Sequence, residues 1–315
     1  MTAQRATLPL HVAVLMGGPS VEREVSLISG AACAAALGKL GHRGTEIDVT
    51  RDIGATLAAL AALDPHPDVI FNALHGRYGE DGCIQGMLEY LGIPYTHSGV
   101  LASALAMDKP TARRLFTEAG LTCAEGRTAG RDDVIQGRVM DPPYVVKPLN
   151  QGSSVGVHIV IEGDNVHPLA SDWPFGERVL VERYIPGREI HVAVMGDQAL
   201  GAIEIRPKGQ FYDYEAKYTA GKAEHLMPAP LSDTDYAEAL EVGRKAHATL
   251  GCQGVTRADL RFDDTADGPG HFYVLEVNTQ PGMTPLSLVP EIAAYAGIGF
   301  GELVAWMVED ASCPR

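Results

Sequence analysis

The sequence predicts an α/β protein that opens on a parallel sheet with crossover helices and continues into smaller, strand-rich lobes. Three observations predict it. Over the first hundred residues, apolar runs of strand length alternate with segments of helical period. Two loops, "GGPSVEREVS" (17–26) and "HGRYGEDG" (75–82), each follow a strand and precede a helix, which is where open parallel sheets bind ligands. Near residue 98 the regular alternation stops, and short strand-like runs and isolated helices take over.

In order, "LHVAVLM" (10–16) reads as a buried strand, "EVSLISGAACAAALGKLG" as a helix, "TEIDV" as a strand, "ATLAALAAL" as a helix and "DVIFNAL" as a strand. "MDKPTARRLFTEAG" follows as a helix, with Asp108 as its N-cap and Gly120 as its terminator. The runs "YVVKP", "VGVHIVI" and "RVLVERYI" read as strands. The segment 209–230, "GQFYDYEAKYTAGKAEHLMPAP", has neither period, and a loop that long inside a compact domain is usually a functional lid or a disordered insertion. A helix "DTDYAEALEVGRKAHATLG", the strands "GVTRADLRFD" and "HFYVLEVN", and a final helix through "GELVAWMVED" complete the chain. Lobes are expected over 1–97, 98–185 and 186–315.

At 315 residues, 46% hydrophobic and 21% charged, the chain can bury a core of more than one lobe. Its 40 acidic against 25 basic residues leave a net charge of −15, which opposes a polyanion and argues against nucleic-acid binding. Cys33, Cys83, Cys123, Cys252 and Cys313 are scattered and form no C-x-x-C pair, as expected of a reduced cytoplasmic protein. The first apolar run breaks at Gly17-Gly18, and no stretch approaches the roughly 18 apolar residues of a membrane span, so neither secretion nor membrane insertion is expected.

"GSSVG" (152–156) matches the G-x-S-x-G elbow of serine hydrolases and raises Ser154 as a nucleophile. That elbow needs a helix after the turn. Here Val157, Ile159 and Ile161 alternate with His158, Val160 and Glu162, which predicts a second strand and a hairpin. The alternative is a phosphate-binding loop, with backbone N–H groups freed by Gly152 and Gly156, serine hydroxyls, and Lys147 just upstream. A Gly-Ser turn can also do no more than reverse the chain. The N-terminal "GG" with Asp48 could suggest a dinucleotide site, but no G-x-G-x-x-G is present.

The strongest local signal lies near the C-terminus. If "GVTRADLRFD" and "HFYVLEVN" pair around a turn centred between Asp267 and Gly268, Asp259 faces Glu276 and Arg257 faces Asn278, all on one face of the sheet. Opposed carboxylates repel unless a cation lies between them. Oxygen ligands from Asp259, Glu276 and Asn278 suit Mg²⁺; the alternative is a solvated face on which Arg257 pairs the acids, and a bulge would separate them. The following "TQPGMTPLS" could close over a ligand.

Taken in order, "LMGGPSVEREVSLISG", "HGRYGEDG", "KPLNQGSSVGV", "FYDYEAKY", "RADLRFD" and "EVNTQPGMTPLSLVP" resemble the D-alanine–D-alanine ligase family of the ATP-grasp superfamily, over about residues 10–310. The resemblance implies a three-lobed ATP-grasp fold with an N-terminal Rossmann-like parallel α/β domain. It implies ATP-dependent ligation of two D-alanine molecules through an acyl phosphate, with ADP and phosphate released, for peptidoglycan precursors. It implies ATP as co-substrate with two Mg²⁺ (or Mn²⁺) ions, admits a monovalent cation, and carries the expectation of a cytoplasmic homodimer.

By the same resemblance, Lys109, Lys147 and Lys217 contact ATP phosphates, Glu182 and Glu189 hold the adenine and the ribose, and Asp259, Glu276 and Asn278 are metal ligands. Glu22 anchors the first D-alanine ammonium in a set with Ser153 and Tyr218, and His75 lies near that substrate. Arg257 and the Gly282 amide form an oxyanion site, and Ser287 and Leu288 meet the second D-alanine. Asn150, Gln151 and Leu286 depart from the family's commonest residues without touching these atoms, and Tyr218 favours the dipeptide over a D-alanine–D-lactate ester. Taken alone, Glu22 could serve only the positive end of the next helix and His75 could be a hydrogen-bonded loop histidine. Another ATP-grasp ligase, or a non-catalytic nucleotide-binding regulator, would keep the same lobes.

Overall fold

The computed structural model describes residues 9–152, 156–163, 173, 176–207, 223–265 and 268–315. The N-terminal sheet is parallel. Its central strand β1 (His11–Gly17) pairs with β2 (Arg43–Val49) on one side and β3 (Val69–Asn72) on the other. Val12, Ala13, Val14 and Leu15 are fully buried because helices cover both faces, which is why β1 is a continuous apolar run. The helices here are α1 (Arg23–Lys39), α2 (Ile53–Ala61) and α3 (Cys83–Leu91).

The next stretch holds two helices where the sequence suggests one. The added α4 (Val100–Met107) precedes α5 (Lys109–Glu118), and Asp108 between them is extended, so it ends one helix and starts the next. Its carboxylate accepts from the Thr111 N–H at 2.9 Å, as an N-cap should. Gly120, at φ 75°, takes the left-handed position past the last turn, where its N–H and that of Leu121 satisfy the Thr117 and Phe116 carbonyls.

A four-stranded antiparallel sheet follows, in the order β4 (Gly126–Gly130), β7 (Arg178–Arg183), β5 (Tyr144–Pro148), β6 (His158–Val160), with α6 (Arg131–Ile135) beside it. Tyr144, Val146, Val160, Val179 and Val181 form its buried side with Val134 and Val139. β5 and β6 are antiparallel neighbours in register Tyr144↔Val160. The chain after Gly156 is therefore a strand. A nucleophile elbow has no helix to stand on; Ser153 and Ser154 themselves lie outside the described residues.

The third sheet has five antiparallel strands in the order β10 (Ala223–Leu226), β9 (Gln198–Pro207), β8 (Arg188–Met195), β11 (Val255–Asp263), β12 (His271–Asn278). β10 lies inside the segment expected to have no period. It is a four-residue edge strand held by backbone pairing with β9, and so needs no apolar alternation. One face packs on α7 (Asp233–Thr249), where Ile190, Val192, Ala258, Leu260 and Val274 join Ala239 and Ala246. Gly243 is required there, since a Cβ would lie 2.6 Å from Val192 Cγ1.

On the other face, Ala193, Ile203 and Val255 share a core with Val12, Val14 and Phe71 of the first sheet through α8 (Leu288–Tyr295) and α9 (Phe300–Glu309). Farther along the same strands that face turns polar, at His191, Arg257 and Asp259. This change of character on one sheet face positions the site. Among the described residues no single helix is long and apolar enough to cross a membrane; α8 and α9 are apolar together but bent by 103°.

The β11–β12 pairing shows both the expected register and the bulge. Arg257 pairs with Asn278 and Asp259 with Glu276, but from Leu260 onward the register shifts by one, with Leu260 opposite Val274 and Asp263 opposite His271. The connecting segment 264–270 is thus centred on Asp267 and not between Asp267 and Gly268. The extra residue, Leu275, corrects that offset, so the acids still face each other. It also lets Val274 and Val277 both reach the core while Glu276 faces outward.

Replacing Asp108 with alanine removes the α5 cap. We expect a loss of about 1 kcal/mol of stability, read as a lower urea midpoint at unchanged slope.

Candidate active site

Widely separated parts of the chain contribute to one open cleft. Glu22, His75 and Glu80 come from the loops after β1 and β3, Lys109 from the start of α5, and Arg257, Glu276 and Asn278 from β11 and β12. Gly282, Ser287 and Leu288 close it from the loop into α8.

Glu22 is buried, and it can sit there because residue 76 is glycine. At φ 69°, a Cβ on Gly76 would lie 2.3 Å from Glu22 Oε2. His75 is also buried, with Nδ1 3.1 Å from the Gln280 carbonyl and Nε2 3.3 Å from Ser29 Oγ. A carbonyl only accepts, so Nδ1 carries the proton and Nε2 accepts from Ser29, whose oxygen in turn accepts from the Met283 N–H. The ring is a neutral, fully engaged histidine. Burial, aided by the positive Arg257, lowers its pKa to about 4.

The carboxylates of β11 and β12 are each matched to a protein cation. Arg257 binds Asp259 in a two-pronged pair, Nε to Oδ1 at 2.6 Å and Nη2 to Oδ2 at 2.9 Å, and His191 Nδ1 reaches Oδ1 at 2.7 Å. Burial alone would raise the Asp259 pKa, but Arg257 and then His191 outweigh it and hold the carboxyl well below the ordinary range. Lys109 Nζ lies 2.7 Å from Glu276 Oε2 and donates to the Gln151 carbonyl at 3.0 Å. Arginine pairing of the acids, the alternative to a metal, is therefore present for Asp259. Glu276 uses a lysine from another lobe.

Of the expected residues, Asp259, Lys147, Glu182 and Glu189 lie off the cleft wall. Asp259 sits behind Arg257. Glu182 is buried between Arg113, with Nε 2.8 Å from Oε1, and Lys147, whose Nζ meets Oε2. Glu189 is on β8, with Oε1 3.2 Å from His191 Nε2. Ser153, Lys217 and Tyr218 lie outside the described residues. Ser287 folds back on its own loop, its Oγ 3.0 Å from the Thr284 N–H and 2.9 Å from Thr284 Oγ1. A Cβ on Gly282 would come within 2.8 Å of that oxygen.

Two family models match the chain: "D-ala D-ala ligase N-terminus" over residues 51–98 and "D-ala D-ala ligase C-terminus" over 125–309. The D-alanine–D-alanine ligase of Methylocella silvestris is 59% identical over 310 residues, 97% of this chain and 99% of that one. The chain belongs to the D-alanine–D-alanine ligase family. The ligase of Parvibaculum lavamentivorans is 57% identical over 97% of this chain and 98% of its own. Among solved structures, the Bacillus anthracis D-alanine–D-alanine ligase complexed with ATP superposes with a TM-score of 0.79 at 31% identity, covering 96% of this chain and 97% of that one. The VanG D-Ala:D-Ser ligase of Enterococcus faecalis has the same TM-score at 27% identity, covering 96% and 99%. The ATP-grasp fold is thus shared by ligases with different second substrates, and this chain is an ATP-dependent ligase of that fold.

Glu80 and Gln280 escaped sequence reasoning. Glu80 is buried, and its Oε2 has no hydrogen-bond partner among the described residues. Burial first, and the nearby charge of Glu22 second, raise its pKa well above the usual value. The signal available was an acid in a loop at the C-terminal end of a parallel strand, but Glu80 and Asp81 are adjacent. Only the fold shows that Asp81 is spent on the Tyr78 and Cys83 N–H groups. Gln280 is the second. Its Oε1 accepts from Asn72 Nδ2 at 2.7 Å, its N–H donates to Asn278 Oδ1 at 2.8 Å, and its Nε2 donates to the Leu74 carbonyl. It ties the end of β12 to the end of β3, 208 residues apart in sequence.

Because His75 is neutral when folded, the unfolded chain takes up its proton first as the pH falls below about 6.5. Its contribution to stability is full above that pH and is lost toward about 4. Urea unfolding at about pH 7.5 and about pH 5 should show wild type losing about 2 kcal/mol more than His75→Gln over that interval. Parallel losses in the two proteins would contradict the buried neutral ring.

Proposed function

We propose that this chain joins two D-alanine molecules at the expense of ATP, releasing ADP, phosphate and D-alanyl-D-alanine for peptidoglycan precursors. The observation that carries the proposal is the meeting in one cleft of an anionic wall at Glu22 and a wall bearing Lys109, Arg257, Glu276 and Asn278. The first suits the ammonium of an amino acid, and the second suits the polyphosphate and the charge that develops at the reacting carboxylate. Three lobes, 1–97, 98–185 and 186–315, fit this division, since each contains one of the three sheets. A cytoplasmic homodimer belongs to the same reading on the strength of the family.

In this reading the first D-alanine binds with its ammonium at Glu22. Its carboxylate oxygen attacks the γ-phosphorus of ATP, and ADP leaves with the electron pair of the broken P–O bond. The amine of the second D-alanine, after losing a proton, attacks the acyl carbon, and phosphate departs as the peptide bond forms. Arg257 and the Gly282 amide face the tetrahedral oxyanion, and Lys109 and Lys147 face the phosphates. Glu182 and Glu189 hold the adenine and the ribose, while Ser287 and Leu288 receive the second D-alanine. The assignments of Ser153, Lys217 and Tyr218 stand on the family resemblance.

Asp259, Glu276 and Asn278 supply only oxygen donors, two of them anionic and on one sheet face, and that donor set fits Mg²⁺ or Mn²⁺. Such ions would neutralise phosphate charge when bound. The protein cations on the same carboxylates fit this requirement, because Lys109 and Arg257 show how much positive charge the face demands.

The test is phosphate release with Mg²⁺-ATP and D-alanine as the only amino acid. The expected result is D-alanine-dependent phosphate, one per D-alanyl-D-alanine formed, and no ester when D-lactate is added. D-serine should replace the second substrate poorly. No D-alanine-dependent phosphate would refute the proposal; an equal yield with D-serine would move the chain toward the D-Ala:D-Ser ligases.

A further inference from the structure

His191 lies on β8, directly across from Asp259 of β11 and two residues from Glu189 on the same face. The ring is fully buried. Nδ1 is 2.7 Å from Asp259 Oδ1, and Nε2 is 3.2 Å from Glu189 Oε1. A planar five-membered ring holds its two nitrogens at a fixed separation, so a contact at each end sets the distance between the two carboxylates. With the ring buried, water cannot easily take its place at either end.

The neighbours extend this arrangement. Asp259 is gripped from its other side by Arg257, and Glu189 Oε2 lies 3.9 Å from Arg261 Nη1, again directly across β8 and β11. Arg257, Asp259, His191, Glu189 and Arg261 thus form one line along the polar part of the sheet face. His191 is the link between its halves. A hydroxyl side chain at this position would be too short to engage both acids at once.

We propose that His191 is a positioning residue for the nucleotide, holding Glu189 and Asp259 as one rigid unit so that the ribose end and the phosphate end are gripped at a set spacing. The proposal rests on the reading that Glu189 holds the ribose and Asp259 serves the phosphate end. His191 touches neither substrate and acts through those two carboxylates. A buried histidine that only stabilised the sheet would alter melting temperature and leave nucleotide affinity alone.

The experiment is calorimetric binding of ADP, with EDTA and with Mg²⁺, to wild type, His191→Asn, Glu189→Ala and the double variant, with melting temperatures recorded alongside. His191→Asn should weaken ADP binding in EDTA by about five- to tenfold, the scale of one ordinary net polar contact. Glu189→Ala should weaken it on its own, and in EDTA, where no metal links Asp259 to the phosphates, the double variant should match Glu189→Ala within about twofold, because the histidine then acts through Glu189 alone. In turnover, the KM for ATP should rise while kcat at saturating ATP stays within about twofold, the pattern of lost uniform binding. Additive losses in the double variant, or a lower melting temperature with unchanged ADP affinity in His191→Asn, would overturn the proposal. If Glu189→Ala binds ADP normally, the ribose assignment falls and the proposal falls with it; normal binding by His191→Asn alone sinks only the proposal. His191→Gln, closer in reach to the native ring, provides the same readings should the asparagine variant fold poorly.

Discussion

Two carboxylates set opposite each other on adjacent strands, Asp259 and Glu276, are the constraint around which the rest is arranged. Uncompensated, two such charges about 5 Å apart repel by about 3 kcal/mol at an effective dielectric near 20. The fold answers with basic groups from several directions. Arg257 comes from the same strand as Asp259, His191 from the neighbouring strand, and Lys109 from a helix of another lobe. The last is the most consequential, since it makes the start of α5 part of the charge balance of a sheet that begins about eighty residues later. Asp108, which caps that helix, therefore also fixes where the Lys109 ammonium can be.

The same face shows how one sheet can be core at one end and a site at the other. Ala193 and Val255 bury against α8 and the N-terminal sheet, while two residues farther along each strand stand His191 and Arg257. No change of fold is needed for this, only a change of side chain at constant strand period. Gln280 then joins the site end of β12 to the carboxyl end of β3, so the loops bearing Glu22 and His75 are held against the charged face by buried hydrogen bonds. Because those bonds are buried, losing one partner would leave the other unsatisfied at a cost of about 1–3 kcal/mol. That makes the inter-lobe contact specific as well as cohesive.

Much of this was legible in the sequence because it depends on local pattern. The β1 run, the α5 cap and terminator, the hairpin after Gly156 and the pairing of Asp259 with Glu276 follow from period and from residues with one conformational use. The Leu275 bulge was not legible, because its one-residue shift of register cancels the half-residue displacement of the turn's centre. β10 was hidden since an edge strand needs backbone partners more than a pattern. Glu80, Gln280 and His191 were hidden for a different reason: their significance lies in partners 68 to 208 residues away or in burial that adjacent acids do not reveal. The six ordered motifs supplied the remaining roles by resemblance, and the family membership rests on far more of the chain than those motifs.

The proposed function makes the paired acids of β11 and β12 the metal-binding face. The most direct measurement is Mn²⁺ binding to the ADP complex of wild type and Glu276→Gln, followed by electron paramagnetic resonance, with melting temperature as the control for folding. Mn²⁺ should bind the variant at least about tenfold more weakly, at a melting temperature within a few degrees of wild type, because one anionic oxygen ligand would be lost. Equal Mn²⁺ affinity in two folded proteins would contradict it.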